Sequence, residues 1–429
     1  MSISPFDSAI YRDLFSDTEL AALFSDTAEV RAMLLFEGAL ARAQGKIGMI
    51  PEVSAAAIAR ASETVMIDPA GLAKGTAAAG VTAPALVDAF RRAMEAPEHA
   101  AWIHYGVTSQ DVIDTGLILR LRRALDIIQL RSETLAQALG ALSNKHVDTI
   151  MAARTRSQIA TPTTLAAKID VWRAGILRSI ERIGEIKLRV IQISLAGASG
   201  NLAAMGADGP AVAQAVAEGL RLNYQPVPWH SARDGIAELG GALTLLTGSL
   251  GKFGLDLMQL GTSEVQEVRA GAGGGSSTMP HKSNPVGAEA LVTLAHANAG
   301  LVGRMYEAQL HAQERDGAAW ALEWMTLPQI VIATGAALRH AQVLAETLEA
   351  NQPAMVANMD RTSGLMLAEA ATFALAEHMP RPQAQSLVKE ACKTAAAEGR
   401  HLRDVLSKKT AYSIDWDQVF DPANYTSAR

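Results

Sequence analysis

The chain has 429 residues, 49% of them hydrophobic and 19% charged, with a formal net charge of −6 and a pI near 6.0. That length and apolar content suffice for substantial cores in two or three domains, and the acidic balance argues against a nucleic-acid partner. A single cysteine, Cys392, excludes an internal disulfide; with no Cys/His cluster at ligand spacing, a metal site is not expected, and Cys392 reads as a small buried apolar side chain.

The N-terminal stretch MSISPFDSAIYRDLF carries neither a basic segment nor an apolar signal core, and no run of about 18 apolar residues follows. Neither export nor a membrane span is expected, which places the protein in the cytoplasm. From Asp26 to Ile47 an apolar stripe of Val30, Met33, Leu34, Leu40 and Ala41 predicts a helix ended by Gly45 and Gly48, with Pro51 beyond. Shorter segments broken at Asp68-Pro69, Gly71, Gly80, Pro84 and Pro97 then complete an N-terminal helical domain, residues 1–106.

Proline-free gaps follow, and each has room for a long helix. Helices are predicted from Ser109 to about Ile150, Thr163 to about Ile193, Ser231 to Glu267, Val286 to Arg315 and Gln329 to Leu348, which together read as a bundle over residues 107–348. Pro353, Pro380 and Pro382 punctuate shorter helices in a C-terminal domain, residues 349–429. No stretch alternates polar and apolar residues as a half-buried strand would, and aromatics are only 5%. The expected fold class is therefore all-α, a long central helix bundle flanked by smaller N- and C-terminal helical domains.

Three polar runs interrupt this scaffold. His104 to Asp111 opens a helix, where Thr108 and Ser109 hydroxyls beside free N–H groups make a carboxylate receptor, although Thr-Ser-x-Asp alone is also a capping box. Arg154 to Thr164 reads as a loop containing Thr155, Arg156 and Gln158; arginines in a loop are ordinarily solvated. The third run is AGAGGGSSTMPHKSNPVGAE, residues 270–289. A Gly/Ser run alone signals a flexible linker, but linkers seldom enclose Met-Pro-His-Lys-x-Asn-Pro, and a phosphate loop needs Gly before Lys-Ser where this chain has His281.

The third run resembles the fumarase/aspartase superfamily signature Gly-Ser-Ser-x-x-Pro-x-Lys-x-Asn, matched by Gly275, Ser276, Ser277, Pro280, Lys282 and Asn284. That resemblance implies a catalytic base at Ser276, with Ser277 beside it, and a substrate carboxylate held by Lys282 and Asn284. Gln-x-Ala-x-Pro-Thr-Thr, from Gln158, is similar to the superfamily's second region. In adenylosuccinate lyases a proton-donating His stands where this chain has Arg156, and arginine is no proton donor near neutral pH.

Further likeness lies in Gly197-Ala198-Ser199-Gly200, Pro228-Trp229-His230-x-x-Arg233-Asp234, and Glu314-Arg315 followed by Trp320, Glu323, Trp324 and Leu327-Pro328. These resemble the branch of 3-carboxy-cis,cis-muconate cycloisomerases. What the branch implies is a cofactor-free enzyme joining or releasing a carboxylate, acting on a small anionic carboxylate substrate in protocatechuate breakdown. His104 and Arg156 would join Ser276 and Lys282 in the chemistry, and Thr108, Ser109, Thr155, Gln158, Ser277, Asn284 and Arg315 would bind substrate. The superfamily also implies a homotetramer with shared active sites. The rival expectations are a fumarate-releasing C–N lyase of the adenylosuccinate lyase type and a crystallin-like structural protein. Trp320 and Trp324, four apart, read equally as core residues.

Overall fold

The computed structural model describes residues 4–275, 279 and 282–426; Ser276, Ser277, Pro280 and His281 lie outside the described residues. Helices dominate. The first long one, α1, spans Asp26–Ile47, the range its apolar stripe predicts, and Ser25 caps it by accepting the Ala28 N–H. Its C-cap is Gly48 at φ 86°, a left-handed conformation that suits glycine. Gly45, expected as a helix end, instead lies inside the helix, because a Cβ there would collide with Ala55 of the adjoining helix Glu52–Thr64. Fully buried Met33, Leu34 and Phe36 on α1 each stabilise the fold by about 1.5–3 kcal/mol.

Five longer helices follow: α2 (Ser109–Lys145), α3 (Leu165–Val190), α4 (Asp234–Leu260), α5 (Val286–Ala308) and α6 (Gly317–Thr347). The first four begin at or just after the expected positions. The fifth begins well before Gln329 and runs through Pro328. Asp316 explains the early start: its carboxylate accepts the Ala318 and Ala319 N–H groups at 2.9 and 3.1 Å, a strong helix cap. Pro328 then forgoes one backbone hydrogen bond within a stretch anchored by buried Leu327, Ile330 and Val331.

One expectation fails locally. Arg154 to Thr164 is not a loop but most of a β-hairpin, in which β1 (Ile150–Thr155) pairs antiparallel with β2 (Gln158–Thr164). Arg156 and Ser157 form its two-residue turn at φ 49° and 65°, the positive angles of a type I′ connection, but with neither Asn nor Gly present to announce it.

The chain falls into two compact units. One comprises residues 1–133, 177–251 and 293–339, and the other residues 134–176, 252–292 and 340–429. Each of α2 to α6 contributes to both, whereas the boundaries expected at residues 106 and 348 follow the run of long helices, Ser109 to Thr347. In the second unit Ala152 of the hairpin shares a core with Leu375, Leu402, Trp416 and Phe420. Cys392 is half-buried at its edge, where burial pushes its thiol pKa up. Among the described residues only α6 is long and apolar enough to cross a membrane, and 67% of that stretch is buried inside the protein.

Candidate active site

The start of α2 is the organising point of the first unit. Asp111, with no exposed surface, accepts the Thr108 N–H at 2.9 Å, as the second half of a capping box would. It also accepts the N–H groups of Ala196 (2.8 Å) and Gly197 (3.1 Å), and His230 Nε2 lies 2.9 Å from its Oδ1. One buried carboxylate thus gathers the helix start, the Gly197 turn and the segment leading into α4. Trp229 Nε1 adds a bond to Ile193 O.

Arg315 comes to the same place. Its Nε donates to Gln110 Oε1 at 2.8 Å and an Nη donates to Ala198 O at 3.2 Å, which fixes a half-buried guanidinium beside the α2 N-terminus. Gln110 is itself pinned by His230 O (2.9 Å) and Asp114 (3.2 Å). The hydroxyls of Thr108 and Ser109 have no hydrogen-bond partner among the described residues. Free hydroxyls, a helix N-terminus and an oriented arginine together suit a carboxylate.

His104 takes φ 65° and sets Nδ1 2.7 Å from Glu37 Oε1 on α1. Burial opposes its protonation, but the Glu37 carboxylate and, less, Asp111 outweigh that and raise its pKa above the ordinary value. Behind α2, Arg233 is fully buried between Asp114 (2.6 Å) and Glu323 (2.8 Å), over the Trp229 ring. Trp320 Nε1 donates to Asp114 at 3.0 Å, so Trp320 is a core residue. Trp324 is half-buried and lines a cavity of about 200 Å³ with Phe24, Ile113, Arg120 and Leu327.

The second unit holds the other expected residues. The hairpin is braced at its base by Arg154, which grips buried Glu267 through both carboxylate oxygens at 2.7 and 2.9 Å, and Asn358 Nδ2 donates to the same carboxylate. Thr155, Arg156 and Gln158 are exposed at the tip, and Arg156 has no partner among the described residues. In the signature loop Gly274 pairs with Asn284 and Gly275 with Ser283, bringing the two limbs together just ahead of α5. Gly273, at φ 70°, is required there because a Cβ would strike Ser283 Oγ. Lys282 is exposed, and Asn284 lines a cavity of about 480 Å³ with Arg269, Gly271, Leu344 and Glu349. Among the described residues no hydrogen bond joins the hairpin tip to Lys282 or Asn284. Ser276 and Ser277, expected as the base and its neighbour, lie outside the described residues.

Residues 13–300 match the model of a lyase family, and residues 364–428 match that of the adenylosuccinate lyase C-terminus. The chain is also 43% identical to a 3-carboxy-cis,cis-muconate cycloisomerase of Pseudomonas putida, over 94% of its own length and 96% of the relative's. It belongs to the fumarase/aspartase superfamily. Identity is 40% to a cycloisomerase of the same name from Pseudomonas aeruginosa, over 96% of this chain and 92% of that one. The solved 3-carboxy-cis,cis-muconate lactonizing enzyme of Pseudomonas putida superposes with a TM-score of 0.91 at 39% identity, covering 98% of this chain and 96% of its own. The all-α fold expected of the superfamily and the enzyme class hold.

Sequence reasoning missed Glu37 and the internal anchors Gln110 and Asp114. Glu37 had a legible signal, since a carboxylate midway along the α1 stripe between Met33 and Leu40 needs a partner once buried. Asp114 had a weaker one, lying one helical turn beyond Asp111 and Gln110 on α2.

Proposed function

We propose that the protein is a cofactor-free cycloisomerase interconverting 3-carboxy-cis,cis-muconate and its lactone in the cytoplasm. The superfamily signature and the near full-length likeness to the cycloisomerases support this reading. Arg156 carries it. At a position where adenylosuccinate lyases have a proton-donating His, a permanently charged guanidinium serves a leaving group that departs without a proton, and a carboxylate is such a group.

In the lactone-opening direction Ser276 removes the proton α to a carboxylate and the β carboxylate oxygen departs. Cyclisation is the reverse, with the same serine delivering the proton. Lys282 and Asn284 meet the charge that develops on the aci-carboxylate, while Thr108, Ser109, Thr155, Arg156, Gln158, Ser277 and Arg315 hold the remaining carboxylates, with His104 beside them. The test is turnover. Purified protein should abolish the diene absorbance of 3-carboxy-cis,cis-muconate and leave adenylosuccinate untouched, and Arg156→Ala should slow the reaction through lost anion binding. Cleavage of adenylosuccinate by the unmodified protein would refute the assignment.

We infer a homotetramer with active sites shared between chains, each chain having an N-terminal part to residue 106, a bundle to 348 and a C-terminal part. Exposed apolar side chains on long helices support it: Val171 and Leu188 on α3, Leu245 and Leu255 on α4, Met325 and Val343 on α6. Light scattering at micromolar concentration should give about four times the chain mass of 45.3 kDa. A monomer would contradict it.

A further inference from the structure

We propose that Glu37 is the positioning residue for His104, its carboxylate gripping Nδ1 so that the ring is held in one orientation and Nε2 is left as the N–H that meets a carboxylate oxygen of the substrate. The inference rests on the reading of His104 as a substrate contact and adds the residue that prepares it. Three observations carry it. The His104 Nδ1 to Glu37 Oε1 separation is 2.7 Å, short for a bond between ring nitrogen and carboxylate and characteristic of a charge-assisted one. The Glu37 side chain is only 1% exposed, and its other oxygen, Oε2, is buried with no partner, so His104 is the sole described cation available to compensate it. Finally, the ring retains 19% exposure and Nε2 makes no hydrogen bond among the described residues, so the nitrogen not held by Glu37 is the one free to act.

A buried carboxylate with one imidazole partner is a costly arrangement to keep if packing were all that was required, since an apolar side chain of similar volume would suit the α1 stripe better. Its positive effect is on the imidazole. With Nδ1–H committed to Glu37, the tautomer and ring plane are set and the charged form is favoured, in the way a carboxylate orients a histidine in other catalytic pairs. The charged groups acting on His104 are Glu37 from α1 and Asp111 from α2, which favour the imidazolium, and Arg91 from the helix Ala83–Ala93, which opposes it; Arg91 is itself turned to Ile103 O at 3.1 Å. His104 therefore holds its proton to higher pH than a free histidine. Affinity for an anionic substrate that depends on this charge is fully present at low pH and is lost as pH rises through the folded midpoint.

The experiment is a proton NMR titration of the His104 ring in the full protein, assigned with His104→Gln, for the wild type and for Glu37→Gln, alongside the pH dependence of KM and kcat. The wild-type midpoint should lie above about 6.5, the value for an unperturbed histidine, and Glu37→Gln should lower it. For each pH unit of that drop the charged fraction well above the midpoint falls about tenfold, and KM should rise in step while kcat changes less and KM recovers on acidification. A packing role alone would move none of these together. A wild-type midpoint at or below the free value overturns the proposal even if Glu37→Gln does not fold. So does a lowered midpoint with an unchanged KM profile. The titration needs no substrate, so it is decided separately from the cycloisomerase reading.

Discussion

Ser276→Ala should keep fold and assembly yet lose nearly all turnover, because a base that transfers the substrate proton contributes about 10²–10⁴-fold or more. An unaided hydroxyl is far too weak a base for a proton α to a carboxylate, so the effect depends on what surrounds the loop. Gly274 and Gly275 pair with Asn284 and Ser283 just ahead of α5. Lys282 supplies a positive charge on the returning limb, and α5 starts two residues after Asn284, so that its N-terminal N–H groups favour negative charge nearby. Those are the groups that would stabilise an alkoxide and an aci-carboxylate. Lys282→Met should fail in the same way, and Ser277→Ala should be milder. Near-normal rates in Ser276→Ala with an inactive Ser277→Ala would move the base by one residue; activity in both would end the serine mechanism for this protein.

Arg233→Met should be the most destabilising single change in the first unit, by about 3–5 kcal/mol, because it leaves Asp114 and Glu323 buried without their cation. All three side chains are at most 1% exposed, so water cannot replace the lost partner. Trp320 Nε1 and Gln110 Nε2 would remain on Asp114, but neutral donors do not balance two carboxylates. The sign of the pH dependence follows from burial. In the native protein burial already raises the Glu323 pKa, with Arg233 pulling it back, while burial and Arg233 keep the His311 pKa low. Without the guanidinium nothing pulls the Glu323 pKa back from the rise that burial causes, so Glu323 binds its proton more tightly in the folded state than in the unfolded one. The deficit should therefore be largest near pH 8 and shrink as pH falls. Urea unfolding at fixed protomer concentration reads it, and a loss below about 1 kcal/mol at pH 8 would show that the cluster is not the anchor described.

What was legible in the sequence is mostly what repeats along a helix. The apolar period of α1 located that helix, and the proline gaps located α2 to α5, since helix pattern and proline exclusion are local properties. The hairpin escaped because its turn residues are Arg156 and Ser157 held at positive φ, a conformation that sequence patterns assign to Asn-Gly. Pro328 misled for the opposite reason: a local rule for breaking helices yielded to the Asp316 cap and the buried surface around it. At the site, motif likeness picked out Ser109, Asp111, His230 and Arg315 as separate runs. It could not say that Asp111 would join Gly197 and His230, or that Arg315 would reach Gln110 across 205 positions of sequence. Those bonds link positions far apart in sequence, where no periodicity operates.

The most direct measurement is proton NMR of the product formed by the purified protein from 3-carboxy-cis,cis-muconate in D₂O. Cyclisation by carboxylate addition with delivery of one proton to the carbon α to a carboxylate predicts a lactone carrying a single deuterium at that carbon, made by the wild type and not by Ser276→Ala. Recovery of unchanged muconate from the active-concentration protein, or a lactone formed equally by Ser276→Ala, would contradict the account.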